Sequence, residues 1–147
     1  MVSTASGRNK VTATTARVSA LVAGVLFAAA CHPDPSTPRG TAERFLDAHY
    51  VTIDLQGALP YTSGLARHKV EEEIALTRGQ EIDDATRKPS VHYRLLEERS
   101  DGAHAVNYLY LGSIVVPEAD RFERRWLVTV RREEPGWRVT NYQEFGE

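Results

Sequence analysis

The chain has 147 residues, with 18 lysines and arginines against 20 aspartates and glutamates and a formal net charge of −2. That balance argues against a nucleic-acid partner, because such binding rests on neutralising phosphates with Lys and Arg, and the length holds one domain but not two. The single cysteine, Cys31, excludes an intrachain disulfide and a cysteine-based metal site.

Residues 1–30 carry Arg8, Lys10 and Arg17 and no acid, and then run apolar from Val18 to Ala30 with Ser19 as the polar interruption. A charged start followed by an apolar run is the order of an export signal. The run is about thirteen residues, whereas a membrane-spanning helix needs roughly 20, so it reads as a removable leader. Ala28, Ala29 and Ala30 stand directly before Cys31, and the segment Leu26–Cys31 resembles the lipobox of bacterial lipoproteins, with Ala28 where leucine is usual. The resemblance implies cleavage before Cys31, palmitate-type acyl chains on its thiol, and attachment to a membrane of the cell envelope. More than one acyl chain gives stable anchoring, since each buried methylene contributes about 0.8 kcal/mol. His32 after the cysteine implies the periplasmic face of an outer membrane, where the organism has one.

Cleavage there leaves Cys31–Glu147 as one domain's worth of chain, more acidic than the whole because the leader holds three basic residues and no acid. Residues 31–40 read as the lipidated cysteine and a proline-rich, stiff, solvated tether, and residues 41–147 as the folded domain. From Thr41 the pattern turns helical, with Ala42, Phe45, Leu46, His49 and Ile53 on one face. A short turn over 54–59 precedes Pro60, and Leu65, Ala66, Val70 and Ile74 mark another helix ending near Gly79. Glu71, Glu72 and Glu73 on that helix read as a solvated charge run. After a polar connection over 80–90 the period changes to two: Val91, Tyr93 and Leu95 begin a strand. Asp101-Gly102 turns the chain into a long strand over 103–116, and Pro117–Asp120 leads to a third, with Phe122, Trp126, Val128 and Val130 on one side. Glu134-Pro135-Gly136 turns into a last strand that carries Trp137, Val139 and Phe145.

Helices followed by four antiparallel strands give an α+β class with the helices on one sheet face. The order of these elements, from TAERFLDAHYVTIDLQGAL through YTSGLARHKVEEEIAL to WLVTVRREEPGWRVTNYQEF, resembles the NTF2-like superfamily. That resemblance implies a cone of N-terminal helices packed on a curved antiparallel sheet, with a cavity between them. It also admits dehydratases, isomerases, secretion-system subunits and homodimers, among which the fold does not choose.

Inward residues that would line such a cavity are His49, Tyr50, Tyr61, Tyr93, Tyr108, Tyr110 and Trp126. Acid catalysis by a carboxyl raised in an apolar pocket, as in ketosteroid isomerase, needs an Asp or Glu and a Tyr to converge. Asp47 and Asp54 fall off the apolar helix face, and no buried acid emerges. The histidines at 32, 49, 68, 92 and 104 have no metal-binding spacing, no nucleophile or phosphate-loop motif is present, and no cofactor is called for. Arg121, Arg125 and Arg131 share the strand face opposite Trp126, which suits either cross-strand pairing with Glu97, Glu98 or Glu144, or docking of an acidic partner. The sequence thus reads as a lipid-anchored, non-catalytic binding module for a small apolar ligand or an envelope protein. The alternatives are an exported isomerase or dehydratase with a tyrosine-lined cavity, and a subunit of an envelope complex.

Overall fold

The computed structural model describes residues 32–80, 88–119 and 121–146. The leader and Cys31 lie outside the described residues, as does most of the 80–90 connection. Cys31–Glu147 is a compact unit of its own.

Helix α1 runs from Pro38 to Leu46, and starts where it does because Thr37 accepts a hydrogen bond from the Gly40 amide at 3.0 Å while proline occupies the first turn. The expected tether is therefore shorter at its distal end: Pro38, Arg39 and Gly40 are helical. Its proximal part is pinned as well. Arg44 Nε donates to the Pro33 carbonyl (3.0 Å), and Thr41 Oγ1 donates to the Pro35 carbonyl (2.9 Å).

Past Leu46 the helix widens into a single π turn, Asp47–Val51, in which the Thr52 amide reaches back to the Asp47 carbonyl at 2.8 Å. The extra residue in that turn brings both His49 and Tyr50 against the core, their rings 4.4 Å apart. Ile53, expected on the same helix face, is outside the helix with φ 55°, a left-handed backbone unusual for a β-branched residue. Helix α2 (Leu55–Ala58) and a 3₁₀ turn (Leu59–Tyr61) then carry the chain to helix α3 (Gly64–Leu76). Ala66 and Val70 of α3 are buried, whereas Leu65, expected beside them, is 52% exposed. The inward face of α3 continues to Glu73 and Ile74, one turn beyond Val70, so of the charge run 71–73 Glu71 and Glu72 are exposed and Glu73 is half-buried.

Strands β1 (Ser90–Ser100), β2 (Ala105–Val115), β3 (Arg121–Glu133) and β4 (Gly136–Gly146) form one antiparallel meander in sequence order. Extra residues at Leu96 in β1 and Thr140 in β4 shift the register, and such bulges bend a sheet and increase its twist. Each bulge also reverses which residues point inward. Val139 is inward before the β4 bulge and Tyr142 after it, so Phe145 falls on the outer face, 45% exposed, and not with Trp137 and Val139 as the simple alternation predicts.

The core lies between the helices and the inner sheet face, around Phe45, Leu46, Trp126, Val128, Val130 and Val139, all fully buried. Trp126 lies flat over Gly112, where an added methyl would overlap the indole carbons. Gly112→Ala is expected to destabilise the fold by about 2 kcal/mol through overpacking, read as a lower urea midpoint at unchanged slope. An unchanged midpoint would mean that the indole does not depend on that missing side chain.

Candidate functional site

The described residues enclose an open cleft of about 480 Å³ at one end of the core, where the π turn and the C-terminal half of α3 meet the start of β1, the end of β2 and the start of β3. Its sheet wall is Val91, Ile114, Phe122 and Trp126, and its helical wall includes Ile53, Leu55 and Leu76. Tyr50 stacks on Trp126 with ring centroids 4.2 Å apart and planes 16° from parallel. The titratable pair on this wall is His49 and Glu73.

His49 Nε2 is 2.7 Å from Glu73 Oε2, and the Tyr142 hydroxyl donates to Glu73 Oε1 at 2.7 Å. A carboxylate only accepts, so the His49 proton sits on Nε2. The His49 side chain is 8% exposed and that of Glu73 39%. Burial lowers the His49 pKa below its ordinary value and outweighs the opposing pull of Glu73 and Glu144, so the imidazole is neutral near neutral pH. The wall therefore carries an uncompensated carboxylate held by two neutral donors. His49 Nδ1 is covered and has no hydrogen-bond partner among the described residues.

Of the seven residues predicted to line one cavity, the structure brings three to the cleft: His49, Tyr50 and Trp126. Tyr93, Tyr108 and Tyr110 fill the core instead. The Tyr93 hydroxyl donates to Asp47 Oδ1 at 2.7 Å, its ring meets Tyr110 edge-on at 5.6 Å, and Tyr108 and Tyr110 are essentially inaccessible. Tyr61 borders a separate groove beside His32 and Arg44. Burial pushes Tyr108 up to about 12 and raises Tyr50, Tyr93, Tyr110 and Tyr142 as well, so all five stay protonated donors at neutral pH. Cys31 lies outside the described residues.

Glu73 and Tyr142 are the functional candidates that sequence reading missed. Glu73 stands three residues after Val70 and seven after Ala66, on the buried stripe of α3, a spacing visible in the sequence but masked by the neighbouring acids. Tyr142 was hidden by the β4 bulge.

The outer sheet face behaves differently from the paired surface that charge balance favours. Arg94, Leu111, Arg125 and Phe145 form one cross-strand row, with Leu109 and Leu127 in the next. Arg121, Arg125 and Arg131 are exposed. On this face Glu97 pairs with Arg99 at 2.7 Å. Glu144 lies nearer Arg124, 3.4 Å away, and accepts from Trp126 Nε1 at 3.1 Å.

No family model matches the chain, and no curated protein matches it. Among solved structures, the chain is similar to a protein assigned as a calcium/calmodulin-dependent protein kinase type II association domain from Thiobacillus denitrificans, with TM-score 0.57, 12% identity and coverage of 76% of this chain and 95% of that one. It is also similar to a ketosteroid isomerase-like protein from Erwinia carotovora atroseptica (TM-score 0.53, 10% identity, 73% and 90%). A third likeness is to VirB8 of Agrobacterium tumefaciens (TM-score 0.51, 10% identity, 74% and 90%). At these identities the likeness defines the fold: the chain has the NTF2-like α+β architecture that the element order implied.

Because His49 is held neutral by burial, its contribution to stability has a defined sign. Above pH 6.5, its ordinary pKa, both the folded and the unfolded chain are neutral there. As pH falls below that value the unfolded chain takes the proton first, and the folded state loses stability until its own lowered pKa is reached. The urea midpoint should therefore fall as pH drops below 6.5, and His49→Gln, which keeps a donor toward Glu73, should flatten that fall. An equal slope in both chains would contradict the assignment.

Proposed function

We propose that this chain is a bacterial lipoprotein anchored through acyl chains on Cys31, whose NTF2-like domain holds a small apolar ligand in the cleft without turning it over. The observation that carries the ligand reading is the cleft itself. Its volume falls in the range of small-molecule sites, about 300–1,000 Å³, and such sites are apolar with a few placed polar groups. Here the wall is mostly Ile, Leu, Val, Pro and aromatic side chains, with Thr77 and the His49–Glu73 pair among its polar members.

The same geometry removes His49 as a general base, although Glu73 and Tyr142 do converge beside the cleft, the pairing that the isomerase-type alternative would use. A general base must come within about 3 Å of the proton it removes, yet His49 Nδ1 is covered and Nε2 is engaged by Glu73. Tyr50 and Tyr142, held above their ordinary pKa by burial, supply no base. The anchor reading rests on the leader pattern and on the position of Cys31.

One mass-spectrometry experiment tests both parts. The full chain is isolated from a bacterial host in its membrane and measured native and denatured. The denatured mass should match a chain beginning at an acylated Cys31, and the native mass should exceed it by a small molecule. An unmodified chain retaining residues 1–30 would sink the anchor, and identical native and denatured masses would sink the resident ligand.

A second reading has an observation of its own. Arg94 and Arg125 stand in one row with Leu111 and Phe145, Arg121 and Arg131 lie on the same face toward the two ends of β3, and none of the four has an ion pair among the described residues. Exposed arginines around an apolar centre fit a protein that presents carboxylates. The chain next to Cys31 is held against α1, on the helical side, so an anchored domain would turn this sheet face away from its own bilayer. A photoreactive residue at Leu111 should form a protein adduct that is lost with Arg94→Glu and Arg125→Glu, while one at exposed His68 on α3 forms none. Adducts indifferent to charge reversal would contradict the docking surface.

A further inference from the structure

We propose that the ligand of the cleft is an amphiphilic amine, an apolar body carrying a protonated nitrogen that pairs with Glu73. This rests on the reading of the cleft as a ligand site and specifies its chemistry.

The inference starts from what a ligand would do to Glu73. The Glu73 side chain is 39% exposed, and water supplies what its two protein donors do not. A carboxylate has about four lone-pair sites, of which Tyr142 and His49 occupy one on each oxygen. An apolar molecule filling the cleft would strip the remaining water, and removing solvent from an ion is costly unless a partner replaces it. A neutral hydrocarbon brings no such partner. A carboxylate or phosphate ligand would add repulsion, whereas an ammonium group replaces the lost water with a charge-assisted hydrogen bond.

The charges around the site point the same way. From the π turn, Glu73 meets neutral His49; from β4, it meets the Tyr142 hydroxyl. Lys69, one turn earlier on α3, directs its ammonium to the Tyr142 carbonyl at 2.7 Å and to Asn141 Oδ1 at 3.0 Å, and makes no ion pair with Glu73. Glu144 on β4 adds a second negative charge felt by His49 and Tyr50, with Arg124 at 3.4 Å beside it. Neither arginine nor lysine is among the described residues of the cleft wall. Phe122, Tyr50 and Trp126 add apolar aromatic area to that wall, with the Phe122 ring already met by the Arg124 guanidinium at 5.0 Å and Trp126 held between Gly112 and Tyr50. The cleft thus combines an apolar volume, aromatic rings and one unneutralised carboxylate.

The test uses Cys31–Glu147 without leader or lipid, and titrates it calorimetrically with n-decylammonium, n-decanol and n-decanoate, which share one apolar body. Decylammonium should bind at least about tenfold more tightly than decanol, a difference near 1.4 kcal/mol, and decanoate more weakly than either. Glu73→Gln, whose amide oxygen can accept from His49 while its NH2 donates to the Tyr142 hydroxyl oxygen, should bring decylammonium and decanol together, with folding checked by circular dichroism. Added salt should narrow the gap in the unaltered chain, which tests the charge without any substitution. If decanol matches decylammonium, or if the advantage survives Glu73→Gln in a folded variant, the amine assignment is overturned while the cleft remains a ligand site. If none of the three binds, the cleft reading falls and the amine with it.

Discussion

Trp126 lying on Gly112 is the contact on which the rest of the structure depends. The indole needs the space of the missing side chain to lie flat on the sheet. Lying flat, it presents a face to Tyr50 at 4.2 Å and turns Nε1 toward Glu144. One side chain thereby joins β2, β3 and β4 to the π turn of the helical layer. Its tilt also decides where the core stops being filled: Tyr93, Tyr108 and Tyr110 close one side, and Phe122 and Ile114 border an opening on the other.

The π turn has a comparable role in the helical layer. A regular helix continuing past Leu46 would present His49 and Ile53 on one face. The widened turn holds His49 and Tyr50 together against the core and releases Ile53 into a left-handed conformation on the cleft wall. Backbone in sparsely populated conformations gathers at binding sites, where surrounding structure holds it in place. Buried within that turn, His49 is kept neutral near neutral pH by its desolvation, which leaves the Glu73 charge uncompensated in the open cleft.

The fold was legible in the sequence because it rests on periodicity and turn chemistry. Ala42, Phe45 and Leu46 mark α1, Val91 and Tyr93 mark β1, and Asp101-Gly102 marks the first hairpin, where Gly102 has φ 69°. The site was legible in part: His49, Tyr50 and Trp126 meet as inward residues of neighbouring elements. The rest was obscured by local irregularities that break a fixed period. The β4 bulge exchanges Tyr142 for Phe145 on the inner face, and the acids beside Glu73 disguise its place on the buried stripe of α3. Four tyrosines expected around one cavity went elsewhere because alternation gives the direction of a side chain, not whether the space it enters is already full.

The central claim is that the opening bounded by Trp126, Phe122 and the His49–Glu73 pair is where this protein takes a ligand. The most direct measurement is the set of intermolecular NMR contacts made by bound decylammonium on Cys31–Glu147 labelled at isoleucine and leucine methyls and aromatic rings. Contacts from the alkyl chain to Ile114, Leu76 and Phe122, with a shift of the His49 ring signals, are the predicted result. Contacts to Leu109, Leu111 and Phe145 on the outer sheet face, with the cleft residues unmoved, would contradict it.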